Sequence, residues 1–195
     1  SLEMYRKSFE NLQTDYIDYY LLHSIGGGGM DAFNARYVDN GMLDFLMEER
    51  KAGRIRNLGF SFHGNTDSFD EFLKLHEKYH WDFVQIQLNY VDFDDPSVQA
   101  RKCLEVCRKY SKPAIVMEPV KGGSLVNLPD EAKAVFDSLN GGSYASYAIR
   151  FAAGFEGVVM VLSGMSNMEQ MEDNLSYMKE FVPVNEQEKA IIEKA

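Results

Sequence analysis

At 195 residues the chain is long enough to bury one sizeable core, and it reads as a single domain over 1–195. With 30 acidic against 20 basic residues and a formal charge of −10, it is poorly suited to nucleic acid or anionic membrane surfaces, whose phosphates require Lys and Arg. No window has the long apolar run of a membrane span, and the opening SLEMYRKSFENL is not a signal peptide, so the expected location is cytoplasmic.

Leu2, Tyr5, Phe9 and Leu12 recur at helical spacing and predict an amphipathic opening helix. Residues 16–22 read as a first strand, and the glycine-rich SIGGGGMDAF after it suggests a mobile loop. A helix over 42–51 ends at Gly53, a suitable C′ cap, and residues 55–60 form a second strand. The stretch 67–79 reads as one helix with Phe69, Phe72, Leu73 and His76 on a stripe. Residues 83–88 are a third strand: Val84, Ile86 and Leu88 point one way, and Gln85, Gln87 and Asn89 the other. The helix predicted over 96–110 carries Cys103 and Cys107 one turn apart. Two cysteines make neither a disulfide framework nor a four-ligand metal site, so they read as small buried residues of a reducing compartment. A fourth strand over 114–117 and two helical stretches up to Ala153 follow. The fifth strand, 157–162, is apolar enough to be covered on both faces, and helices over 168–178 and 185–194 end the chain.

Alternating strands and helices imply a parallel sheet, as a doubly wound open sheet or a (β/α)8 barrel. GGGG after the first strand is not G-x-G-x-x-G, because Asp31 stands at the last glycine position. Three successive carboxamides suit a barrel strand facing a polar mouth, whereas an edge strand with one solvated face is the competing reading. His76-Glu77-Lys78-Tyr79-His80 matches H-E-x-x-H, the helical zinc-hydrolase pattern, but no third ligand follows at a suitable spacing. Its basic groups complement a helix C-terminus at the end of a barrel opposite the reactive mouth. A zinc hydrolase is therefore the remote alternative, and no metal ligand is assigned.

Read in order, SFENLQTDYIDYYLLHS, KAGRIRNLGFS, QIQLNY, MEPVKGG and LSGMSNMEQMEDNL resemble consecutive segments of the aldo-keto reductase family. The resemblance implies an α/β fold of the TIM (β/α)8-barrel type, represented here only by its fourth to eighth strand–helix units, as the C-terminal portion of a longer barrel. FSFHG and MEPVKGG are most similar to a bacterial branch often followed by a ferredoxin-type 4Fe-4S segment; no C-x-x-C-x-x-C run occurs, so an iron–sulfur cluster is not supported within this chain. The implied activity is NAD(P)H-dependent reduction of aldehydes and ketones, with a nicotinamide nucleotide (NADP or NAD) and a small carbonyl compound as partners. Of the family's catalytic tetrad only the histidine maps here, to His23. The tyrosine, lysine and aspartate fall in the absent units, so Tyr16, Tyr19, Tyr20 and Lys121 do not replace them and the chain is expected to be inactive alone.

Cofactor positions carried over by the resemblance are Ser61 and Gln85 for the carboxamide, Met117 at the usual stacking tyrosine, and Gly122 and Gly123 for phosphate. Gly164 and Ser166 open the last family helix, and Gln170 and Asn174 lie along it near the adenine end. Phe62 stands where the family has an asparagine, and Glu118 where it often has serine. Asn167 and Gln170 replace basic residues that grip a 2′-phosphate, which leaves NAD open beside NADP. Exposed barrel edges imply possible self-association. The competing reading is a non-catalytic, nucleotide-binding or regulatory barrel protein.

Overall fold

A computed structural model describes residues 2–139 and 141–195. The chain forms two compact units, one from Ser1–Ile86 with Lys102–Pro113, the other from Gln87–Arg101 with Ala114–Ala195. Among the described residues no helix is long and apolar enough to cross a membrane.

The first unit runs through α1 (Leu2–Leu12), β1 (Ile17–Ile25), α2 (Gly29–Phe33) with a π-helical turn Asn34–Val38, α3 (Met42–Lys51), β2 (Ile55–Phe62), α4 (Thr66–Lys74), α5 (His76–Tyr79) and the start of β3 (Phe83–Gln87). Most of α6 (Ala100–Lys109) also belongs to it. β2 pairs parallel with both neighbours, Ile17 opposite Ile55 and Ser61 opposite Gln85. A parallel strand between two others is covered on both faces, and β2 is buried from Leu58 through Phe62. One face packs an aromatic cluster, with Phe62 stacked on Phe69 at 4.4 Å and Phe60 edge-on to Trp81 at 5.3 Å.

Local signals fix the helix ends. After α3, Gly53 adopts φ 79° while its N–H bonds the Arg50 carbonyl and the Arg54 N–H bonds the Glu49 carbonyl. That is a Schellman closure, at the glycine predicted to supply it. The helix predicted over 67–79 instead breaks at Leu75 into α4 and α5, placing His76 in a separate four-residue turn. The glycine-rich stretch is not loop throughout either: Gly28 at φ 80° starts α2, and Phe33 anchors that helix against Phe72 at 5.4 Å. Long-range burial of one aromatic ring decides this, and periodicity does not show it. In α1 only Tyr5 is buried, its hydroxyl donating to Glu49 at 2.9 Å, while Leu2 and Leu12 stay exposed. Cys103 and Cys107 are buried thiols; burial pushes Cys103 up to about 11 and Cys107 higher still.

The second unit contains the end of β3, β4 (Ala114–Met117), α7 (Asp130–Phe136), α8 (Tyr144–Ala153), β5 (Val158–Val161), α9 (Met168–Met178) and α10 (Glu186–Lys194). β4 and β5 pair parallel, Val116 opposite Val161. Phe136, Tyr147, Val184 and Ile192 form the core between α7, α8 and α10. Arg150 fastens α10 to α8 through a bidentate pair with Glu188 at 2.8 and 3.0 Å, and Glu188 also closes the capping box of α10 with Asn185. β5 overturns an expectation: Val159 is 61 % and Met160 46 % exposed, so the strand is not covered on both faces. Among the described residues it pairs with β4 alone and has an edge strand's burial pattern.

Asp70 of α4 accepts from Lys109 at 2.6 Å and from Tyr110 at 3.1 Å and pairs with Lys74 at 2.8 Å. The Lys109 ammonium first, then Lys74, lowers its pKa to about 2. A carboxylate with a depressed folded pKa contributes stability above its unfolded pKa near 4 and loses it as pH falls towards the folded value. Asp70→Asn should therefore cost about 1 kcal/mol at pH 7. Urea unfolding of both proteins should show that difference shrinking as pH drops from about 4 to about 2.

Candidate active site

In the first unit the C-terminal half of β1 brings three sequence-predicted residues close in register. His23 is exposed on β1, and its carbonyl accepts the Tyr37 hydroxyl at 2.8 Å. The next residue, Ser24, takes φ 57° and donates its N–H to the Ser61 hydroxyl at 2.8 Å. Ser61 is buried on β2 and lies opposite Gln85 on β3. The chain then turns at Gly26, φ 112°, where a Cβ would sit 2.1 Å from the His63 carbonyl oxygen. Only glycine fits that crossing. Ser61 thus orients the backbone that carries His23, a structural duty in addition to the cofactor contact implied by the resemblance.

In the second unit the loops after β3 and β4 are joined by one buried carboxylate. Asp92, 1 % exposed, accepts from Gln87 and Asn89 at 2.7 Å each and is paired with Lys121. Asn89 Oδ1 accepts the Val91 and Asp92 N–H groups, while Asn89 Nδ2 donates to the Glu118 carbonyl at 3.1 Å. Burial alone would raise the Asp92 pKa; the bonds from Lys121, Asn89 and Gln87 outweigh it and hold the carboxyl below its ordinary value. Sequence reading missed this knot. Asn immediately after a strand, with Asp three residues on, is an Asx-turn signal that could have pointed to it.

The loop after β4 is backbone-strained. Glu118, Lys121, Gly122 and Gly123 all have positive φ (55°, 48°, 62° and 94°), unusual for the two non-glycines. The Gly123 N–H is engaged by the Val120 carbonyl, whereas a Cβ built on Gly122 meets no atom within 4 Å. Of the two phosphate-site candidates, Gly122 therefore borders open space. Met117 at the end of β4 is half-buried and accepts from the Leu88 N–H at 3.2 Å.

Before α9 the candidates are close together but already bonded to one another. The Asn167 side chain caps the helix by accepting the Gln170 N–H, and Gln170 Oε1 accepts the Ser166 N–H at 2.7 Å. Asn174 donates to the Ser163 hydroxyl at 3.0 Å and accepts from Tyr177. Gly164 is exposed with open space around it. The two amides that replace basic residues are thus both used on the helix N-terminus.

The H-E-x-x-H segment does not present a ligand face. His80 lies beyond the end of α5 with φ 51°, and the His76 and His80 rings meet edge-on at 5.7 Å. His76 Nε2 is 3.3 Å from the Lys112 ammonium, whose charge opposes a bound cation. Burial first, then Lys112 and His80, lowers the His76 pKa. Among the described residues no group of three or more His, Cys, Asp or Glu side chains could hold a metal ion.

Asp92→Ala leaves the Lys121 ammonium and two buried amides unpaired, and should destabilise the protein by about 3 kcal/mol. Denaturant unfolding measures the loss, and faster amide exchange at Gly123 would show that the loop after β4 loosens with it.

The sequence profile of the Aldo/keto reductase family matches residues 2–195. No curated protein matches the chain in sequence. Among solved structures, an aldo-keto reductase from Bacillus halodurans in its holo form aligns with TM-score 0.73 and 22 % identity, over 98 % of this chain and 65 % of its own. A thermostable aldo-keto reductase, Tm1743, in complex with the inhibitor epalrestat, aligns with TM-score 0.74 and 19 % identity, over 100 % of this chain and 65 % of its own. Gox0644 in complex with NADPH aligns with TM-score 0.72 and 19 % identity, over 99 % and 64 % respectively. At these identities the likeness carries the fold, and the chain spans about 65 % of the length of these structures. On the family match over nearly its whole length, the chain belongs to the aldo/keto reductase family.

Proposed function

We propose that this chain is the C-terminal portion, the fourth to eighth units, of a barrel that reduces aldehydes or ketones with a nicotinamide nucleotide. The carrying observation is the family match over residues 2–195, with the motif segments in family order. Under this reading the chain makes up a single domain with the missing units, and the exposed Val159 and Met160 of β5 are the kind of surface those units, or a second copy, would cover.

A bound nicotinamide nucleotide supplies hydride to the carbonyl carbon. The residues present fit such a group unevenly. At the carboxamide end, Ser61 and Gln85 stand side by side across β2 and β3. At the phosphate end, Gly122 leaves room for close backbone approach. At the adenine end the fit is to a nucleotide without a 2′-phosphate: Asn167 and Gln170 are neutral and bonded to α9, and Ser166 donates to Gln170. NADH is accordingly the preferred donor, and the bound NADPH of Gox0644 marks where this chain departs from a relative. His23, exposed at the C-terminal half of β1, would hydrogen-bond the carbonyl oxygen while the tyrosine of the missing units gives the proton.

The 195-residue chain should oxidise neither NADH nor NADPH with an aldehyde, because loss of the general acid costs about 10²- to 10⁴-fold. The natural chain extended upstream by about 90 residues, three barrel units, should turn over with NADH preferred. In that longer chain His23→Ala should lower kcat about 10²-fold with little change in nucleotide affinity. Tight nucleotide binding by the longer chain without carbonyl reduction would instead select the regulatory reading.

A further inference from the structure

The second unit contains a cavity of about 730 Å³, within the range of small-molecule sites. The loop after β3 lines it with Tyr90 and Phe93, the segment through α7 with Leu128 and Phe136, α8 with Phe151, and α10 with Ile192. These walls are held by one another: Phe93 meets Phe151 edge-on at 5.3 Å and stacks on Phe155 at 4.7 Å, and Tyr90 is perpendicular to Phe151 at 6.0 Å. A preformed aromatic lining keeps the ordering cost of binding low.

The charges around the cavity indicate the kind of ligand. Three cations line it, and each is already matched by a carboxylate. Arg101 grips Asp94 through two bonds of 2.6 Å while its guanidinium lies over the Phe93 ring at 4.3 Å. Lys121 is bound to Asp92, and Lys189 to Glu186 at 2.7 Å. An anionic ligand would have to break one of these pairs, and a cationic one would meet the same three side chains. The cavity therefore suits an uncharged molecule.

Tyr90 adds one polar requirement. Its hydroxyl is buried and has no hydrogen-bond partner, a state that folded proteins seldom leave uncorrected. Burial pushes its pKa up to about 12, so it remains a proton donor at any physiological pH. We propose that this cavity is a binding site for a compact, uncharged, largely apolar molecule whose single acceptor, a carbonyl oxygen, receives the Tyr90 hydroxyl proton. None of the residues assigned to the nicotinamide nucleotide lines it, so the site stands independently of the reductase reading.

Acetophenone and ethylbenzene test this directly, being close in size and apolar area and differing in the carbonyl. Titrated into the 195-residue chain and followed by calorimetry and aromatic NMR shifts, acetophenone should bind about ten-fold more tightly, the net worth of one hydrogen bond. Tyr90→Phe removes only the hydroxyl and should equalise the two affinities while the protein stays at least as stable. Ala132→Trp, on a lining position of α7, should abolish both if its amide spectrum remains native. Equal affinities in the unmodified protein, a preference that survives Tyr90→Phe, no binding of either compound, or tighter binding of benzoate than of acetophenone would each overturn the proposal.

Discussion

Parallel pairing is the constraint on which the first unit depends. A strand hydrogen-bonded between two parallel neighbours needs both faces covered, and the crossover segments must supply that cover. β2 meets the demand with Leu58, Phe60 and Phe62 buried and Gly59 pressed against β3. A Cβ on Gly59 would lie 2.4 Å from the Phe83 carbonyl oxygen, so the interstrand approach there depends on the missing side chain. The aromatic cluster of Phe60, Phe62, Phe69 and Trp81 then follows from the geometry: the helix after β2 must lie over the strand it leaves. Trp81 can be fully buried in that cluster because its indole N–H reaches the Phe72 carbonyl at 3.1 Å.

Buried polar groups impose the second requirement, and they bear on the site. Asp92, Glu49 and Glu188 are all nearly inaccessible and all held by cations and amides. At Asp92 the result is a junction between the loops that follow β3 and β4, with Lys121 and Asn89 as its partners. Lys121 therefore has a place in this molecule without any catalytic duty. The same holds at the start of α9, where Asn167 and Gln170 satisfy helix amides that a bound anion would otherwise take. Residues that the family match marks as cofactor positions are thus also load carriers of the fold, and the two roles share the same hydrogen bonds.

Several particulars show how much was legible. β4 at Ala114–Met117 and α9 at Met168–Met178 fall where the apolar pattern puts them, and Gly53 closes α3 in the predicted manner. The alternation in FVQIQLNY is real, with Val84, Ile86 and Leu88 buried and Gln85 and Gln87 half-exposed. Asn89, however, is buried too, because Asp92 gives its amide a partner. The break at Leu75 escaped periodicity, since Phe69 to His76 keep helical spacing across it. β5 escaped it for a different reason: an apolar run indicates what a strand could bury, not whether cover is present.

By itself the sequence determined the succession of strands and helices, the positions of their caps and the family to which the segments belong. These depend on residues a few positions apart, whose backbone preferences act locally. Tertiary structure decided which polar groups share a partner, which apolar strand lies open, and that His76 faces an ammonium while Asp92 ties two loops. Those outcomes join residues dozens of positions apart, such as Lys121 to Asp92 and Ser24 to Ser61, and no local pattern records such pairings.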